Sequence, residues 1–180
     1  MAETANSSTV GVLSREPDNI NFLSPVGFRF GVRKMPHVNW FIQEVSLPGI
    51  SIVEVEQPNP LGWAYQPGEK LTYDPLNITF KVDEDLKTWQ ELQNWMVGIG
   101  SPREFGEYKT NLRRGQDAII SDATLIIMDS NMNANFEILF HDLFPTTLSE
   151  LQFITTDSEI DYITVSATFR YLNYEFRAIS

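Results

Sequence analysis

The chain has 180 residues, 0 cysteines, 2 histidines and a formal net charge of −11 at neutral pH. A chain of this length buries about 70% of its unfolded surface and supports a core without covalent staples. The lack of cysteine excludes disulfides and thiolate metal sites, and the acidic balance argues against binding nucleic acid through a basic face.

The first 24 residues are polar and aperiodic, and are expected to form a flexible arm ahead of one domain over residues 25–180. No basic segment leads into an apolar run, so no secretory signal is expected, and no stretch reaches the roughly 20 apolar residues of a membrane span. Val26, Phe28, Phe30 and Val32 alternate with Gly27, Arg29 and Gly31, which predicts a strand with one buried face from Val26 onward. The stretch "HVNWFIQEVSL" predicts a second strand, stopped by Leu47-Pro48-Gly49, and "ISIVEVE" a third. Between Gln57 and Pro75, four of the 10 prolines fall together with Gly62 and Gly68. An extended loop or a long irregular hairpin is expected there, carrying Trp63 and Tyr65.

Leu76, Ile78, Phe80 and Val82 restore the alternation of a strand. The period then changes: Leu86, Trp89, Leu92, Met96 and Ile99 share one side of a helix predicted over Glu84–Val97, capped by Asp83 and stopped by Gly98 and Gly100. Ser101–Asp117 is polar and reads as a surface excursion with Tyr108, Arg113 and Arg114. "DATLIIMD" and "NFEILFHD" flank "SNMNA", the expected tip of a hairpin. Ile163, Val165, Ala167, Phe169 and Tyr171 alternate in a final strand, expected to be the longest at about 30 Å. The sum is a mainly β fold, a sandwich or open barrel with one covering α-helix.

Each candidate for chemistry has a simpler structural reading. Asp83-Glu84-Asp85 could hold a cation, but carboxylates gather at helix starts. Asp129, Asn131, Asn133, Asn135 and Glu137 imitate a calcium loop, yet Ala134 stands where that loop needs glycine and Phe140 where it needs glutamate. Gly98 and Gly100 lack the third glycine of a dinucleotide fingerprint. His141 beside Asp142 suggests a base and its orienter, but no serine or cysteine nucleophile accompanies them, and His37 reads as a turn residue. No catalytic residue, cofactor or metal is expected. The features that point outward are the aromatics Trp63, Tyr65 and Tyr108 and the basic pair Arg113-Arg114, near Arg103 and Lys109, which are the candidate inter-subunit contacts.

"ILFHDLFPTTLSELQFITTDSEIDYITVSATFRY" resembles the C-terminal signature of the tail tube proteins of T4-like contractile-tailed phages. "VSLPGISIVEVE" resembles that family's strand, turn, strand unit, and "ITFKVDEDLKTWQELQNWM" its strand leading into a Trp-bearing helix. The resemblance covers about Phe28 to Phe176 and implies the phage tail-tube fold. It also implies a virion structural protein, assembled in the host cytoplasm, whose homohexameric rings stack into a hollow conduit inside a contractile sheath. The implied partners are further copies of itself, the tail sheath protein, baseplate tube-initiator proteins and a tape measure protein in the lumen, with DNA passing through without specific binding and no membrane. The Thr-rich segment would bridge two long strands at the ring rim. Two alternatives stay open: a specialised initiator or terminator ring, and a monomeric β-sandwich binding module whose Trp63 and Tyr65 grip a sugar or peptide.

Overall fold

The computed structural model describes residues 20–100, 119–155 and 162–179. Among them the elements are β1 (Phe28–Val32), α1 (Val38–Phe41), β2 (Ile42–Ser46), β3 (Ile50–Asn59), β4 (Gly62–Tyr73), β5 (Leu76–Lys81), α2 (Lys87–Gly100), β6 (Ser121–Met128), β7 (Ala134–Leu148), β8 (Thr164–Arg170) and β9 (Asn173–Ala178). The alternations read from the sequence put most of their apolar members inside, but Val26, counted in the first of them, is 76% exposed in the turn ahead of β1. Phe30 and Val32 of β1, Leu76, Ile78 and Phe80 of β5, and Val165, Ala167 and Phe169 of β8 all belong to one buried cluster.

Seven strands form an antiparallel sheet in the order β1-β6-β7-β8-β5-β2, with β9 also paired to β7. The sheet folds over itself at β7. The first part of that strand pairs with β6 on one side and β9 on the other, in registers such as Leu125↔Ile138 and Phe140↔Tyr174. Its last residues pair instead with β8, Phe144 opposite Arg170. The switch falls at Asp142, whose φ of 55° is left-handed, a conformation that short polar side chains tolerate best. Opposite it, Tyr171 and Leu172 interrupt the partner strand between β8 and β9, and Leu172 N donates to His141 O at 2.9 Å. Both ribbons therefore bend together, and the two halves of the sheet close on the core.

The helix α2 lies against β7 and places Leu92 and Trp95 in that core. Its start is three residues later than the sequence suggests, because Leu86 takes a φ of 57°. Asp83 still caps it. Its carboxylate accepts from Lys87 N at 3.1 Å, Thr88 N at 2.8 Å and Thr88 Oγ1 at 2.7 Å. Desolvation pushes the Asp83 carboxyl up, but the hydrogen bonds from Thr88 and Lys87 outweigh it and hold the carboxyl below its ordinary range. The buried stripe is Thr88, Leu92 and Trp95, so the predicted face is rotated: Trp89 and Met96 are only partly buried.

Two further expectations are corrected. Residues 38–41 are a short helix ahead of β2, where the sequence pattern predicted strand from His37. Val38 is fully buried and the Asn39 side chain bonds the backbone of Val32, contacts that a straight strand could not make together. The longest strand is β7 with 15 residues, and Phe144-Pro145-Thr146-Thr147 lies inside it instead of bridging two strands; β8, with 7, is shorter because the corner divides the closing strand.

Trp95 is 9% exposed, its indole Nε1 donates to Ile119 O at 2.7 Å, and its ring centre lies 6.2 Å from that of Phe169. Trp95→Ala is expected to cost about 3–5 kcal/mol in urea unfolding, as large core truncations do. Trp89→Ala, at the partly buried margin, should cost clearly less, and equal losses would show that both indoles serve the core alike.

Candidate assembly surface

Strands β3 and β4 pair with each other and with no other strand among the described residues. The register Asn59↔Gly62 closes them through Pro60 and Leu61, and the φ of 149° at Gly62 is open to glycine. The outcome selects between the two expectations for this segment: it is a long hairpin. The prolines fit because both strands are edges. Counting from the bonded pair Asn59–Gly62, Pro58 and Pro67 fall at positions whose nitrogen faces outward, where no ladder donor is missed. Its irregularity is a bulge between Ile52 and Glu54, opposite Gly68. A Cβ on Gly68 would come within 2.2 Å of Val53 O, so only glycine allows that approach.

Every residue of β3 is exposed. On one face Trp63 and Tyr65, 64% and 61% exposed, stand with Pro58, Pro67, Ile52 and Leu71 among Glu54 and Glu56. Val53 and Val55 are exposed as well. An isolated two-stranded hairpin is marginal in water, and a contiguous exposed apolar surface marks an interaction site. The geometry is that of a projecting arm with an exposed apolar face.

The base of the arm is clamped to the corner of the body. Asp74 N donates to Gly49 O at 3.0 Å, joining the two ends of the hairpin, and a Cβ on Gly49 would meet Asp74 Oδ2 at 2.8 Å. Arg170 Nη1 donates to Tyr73 O at 3.2 Å, Tyr171 Oη to Asp74 O at 2.9 Å and Tyr174 Oη to Pro48 O at 3.4 Å. The rings of Tyr73, Tyr171, Tyr174 and Phe140 stack around these bonds with centres 5.2 to 6.0 Å apart. Each such contact adds about 0.5–1.5 kcal/mol beyond the area it buries.

The sequence-derived candidates separate in this geometry. Trp63 and Tyr65 come together on one face of the arm; Tyr108, Arg113 and Arg114, with Arg103 and Lys109, lie outside the described residues. His141 faces Glu175 at 4.0 Å, while Asp142 N donates to Asp122 Oδ1 at 3.3 Å, so the two neighbours serve the corner. His37 pairs through Nδ1 with Glu91 and joins α1 to α2. Asp129 Oδ1 accepts from Asn131 N at 2.8 Å and Asn133 N at 2.9 Å, an Asx turn that closes the β6–β7 tip beside left-handed Met132. Ile52, Val53 and Val55, exposed on the same arm, were not among the sequence-derived candidates. The signal was present in "ISIVEVE", which puts apolar side chains on both parities and so has no single inward face.

A profile of the family described as phage tail tube protein matches residues 17–177. The chain belongs to that family. Within it, this tail tube family member is 33% identical over 137 residues to the tail tube terminator protein of Enterobacteria phage T4, covering 74% of each chain. The fold matches solved structures of contractile injection systems. The sheath-tube complex of the extracellular system PVC in its extended state superposes with a TM-score of 0.61 at 18% identity, over 98% of this chain and 100% of that one. The PVC sheath/tube terminator gives 0.61 at 19%, over 89% and 100%, and the tube terminating cap of the anti-feeding prophage 0.59 at 13%, over 93% and 99%. The family member is thus a tail-tube-associated structural protein of the virion tail, with the tube fold. No helix among the described residues is long and apolar enough to cross a membrane.

Tyr171 is a handle on the clamped base of the arm. Burial first, then the neighbouring Tyr174, Asp74 and Tyr73, push its phenol from 10.0 up to about 12, with Arg170 opposing. Because the folded value is the higher, its contribution to stability is complete below pH 10 and is lost as pH rises toward 12. Tyrosinate absorbance should show one late phenol near pH 12 that is missing in Tyr171→Phe; an unchanged titration would place the late phenol elsewhere.

Proposed function

We propose that this chain forms the ring that terminates the tube of a contractile phage tail. Six copies would make a homohexamer, seated on the last tube ring and meeting the tail sheath protein at the tube's end. The fold does not separate terminator from tube subunit, since the PVC tube complex and terminator superpose equally well. The terminator reading is supported by the 33% identity to the T4 terminator protein, well above the identity to either PVC structure. The tape measure protein and the DNA would pass through the lumen of this ring, and baseplate initiator proteins would sit at the tube's far end. Six times −11 gives the ring a formal charge of −66, the sign that keeps DNA from adhering to a wall.

The observation that carries the assembly role is the projecting β3–β4 arm. Its aromatic and aliphatic face is exposed in the single chain and rigidly held at its base, as an element that docks on another subunit must be. A binding module with a concave ligand site would place Trp63 and Tyr65 in a cleft, whereas they stand on an open face. Ring formation also fits the outer edges of β1 and β2, which no strand pairs among the described residues, since strand edges left open in a monomer invite pairing between copies.

The test is assembly with tube subunits from the same tail. Added at low ratio to polymerising tube subunits, the protein should shorten the tubes and appear in negative stain as a single ring at one end. Incorporation along the whole length would make it a tube subunit, and no effect on the tubes would remove the terminator role. The double variant Trp63→Asp, Tyr65→Asp should keep the unfolding midpoint, because both side chains are exposed, and lose the capping activity.

A further inference from the structure

Among the described residues β1 pairs only with β6, and its other edge is a short slot closed at both ends. Gly27 O accepts from Met128 N at 2.8 Å and Arg33 N donates to Asp122 O at 3.4 Å, so these residues turn their backbone groups toward β6. Peptide orientation alternates along a strand, and Phe28, Phe30 and Val32 therefore turn theirs away from it. At Val32 a single side chain takes both groups: Asn39 Oδ1 accepts from Val32 N at 2.9 Å and Asn39 Nδ2 donates to Val32 O at 3.1 Å. At the other end Phe28 N donates to Val26 O at 3.2 Å. Between these stops the Phe28 carbonyl and the Phe30 amide and carbonyl face outward, the pattern that one short added strand would complete.

Beside the slot runs an open groove of about 660 Å³, with Arg29, Gly31, Thr124, Ile126 and Met128 on its floor and Trp40 at its wall. Trp40 is 84% exposed although it sits next to the fully buried Val38. The chain also holds a segment of matching size and pattern. Ile20, Phe22 and Leu23 are 77%, 96% and 67% exposed, with Ile20 and Phe22 alternating about Asn21 as in a strand with one apolar face. Arg15, Glu16 and Asp18 precede them in the sequence, a net charge of −1 that is opposite to Arg29 in the groove. Residues 20–24 are not strand and β1 pairs only with β6 among the described residues, so the segment does not occupy its own slot, from which the turn at Pro25 and Val26 leads it away.

We infer that residues 20–23 of one copy add as a short strand to the Phe28–Phe30 edge of β1 in a neighbouring copy, seating Phe22 in the groove beside Trp40. The inference rests on the self-assembly reading above and gives it a contact. Eight residues from Ile20 to Phe28 reach at most about 28 Å, so the β1 strands of neighbouring copies must lie within that span. Asn39 acts as the end-stop: its amide imitates a strand residue at Val32 and limits the docked segment to a few residues.

The native chain has 0 cysteines, so introduced thiols report one pair at a time. Phe22→Cys protein mixed with Trp40→Cys protein and oxidised should give a mixed disulfide dimer several-fold more abundant than Phe22→Cys with Leu172→Cys, an exposed position on the corner. Both partner positions are strongly exposed, and unchanged melting of each variant would show that folding is preserved. Full-length Phe22→Asp protein should show weaker concentration-dependent association by sedimentation. The double variant Phe22→Cys, Trp40→Cys distinguishes the possible partners: a ladder of linked chains supports exchange between copies, and a fast-migrating linked monomer overturns it in favour of the chain's own arm. Rings in the microscope with no preferred disulfide would overturn the strand exchange and leave the ring reading standing. A preferred disulfide without rings would keep the exchange and overturn the ring.

Discussion

The bend at Asp142 is the constraint on which the rest of the structure depends. One long strand serves two sheet halves because it turns there through a left-handed residue, while its partner breaks at Tyr171 and Leu172 in step with it. Without the bend β7 would run straight past the core, and the inner faces of β5 and β8 could not close over Phe30, Phe140 and Leu125. The cost is a short gap in the ladder, offset by the Leu172–His141 bond and by the ring cluster packed inside the corner. The same cluster reaches Tyr73 and so fixes where the β3–β4 arm leaves the body.

That arrangement divides stability from assembly. The core is supplied by the seven-stranded sheet, α2 and the Met35–Val38 segment, and of the arm only Tyr73, at its base, packs on residues that border it. Substitutions on the arm can therefore change which surfaces the protein recognises while the fold persists, and the clamped base keeps the arm's direction fixed. A stiff arm loses little conformational entropy when it docks, which suits the ring contacts proposed for it. The free edge of β1 follows the same logic at smaller scale, since Asn39 leaves only a few backbone groups open.

Much of this architecture was legible because one buried face imposes a period. β1, β5, β6 and β8 follow from alternation, and the β6–β7 tip from its asparagines, because those patterns have one physical solution. The α1 turn was not legible: "HVNWF" alternates acceptably as strand, and only the docking of Val38 and the pairing of Asn39 with Val32 favour a helix. The helix face was misplaced by one position because docking against the sheet buries Thr88, Leu92 and Trp95, whereas the apolar spacing pointed to Trp89, Leu92 and Met96. The prolines between Gln57 and Pro75 left loop and hairpin both open, since sequence does not show that both strands of a hairpin are edges that tolerate Pro58 and Pro67. For the candidate surface, Trp63 and Tyr65 were legible as aromatics in a Pro-rich stretch, whereas Ile52, Val53 and Val55 looked like ordinary strand residues until the strand proved to have no covered face.

The sequence by itself determined the fold class, the family, most strand positions and the acidic, cysteine-free character, because composition and period are properties of the chain. Tertiary structure decided the rest: where β7 bends, which face of α2 is buried, that β3 and β4 stand apart from the sheet, and that one side chain closes the edge of β1. Each of these depends on groups far apart in sequence meeting in space, such as Asn39 with Val32, Tyr171 with Asp74 and Leu172 with His141, and no local pattern encodes which of several possible partners will be reached.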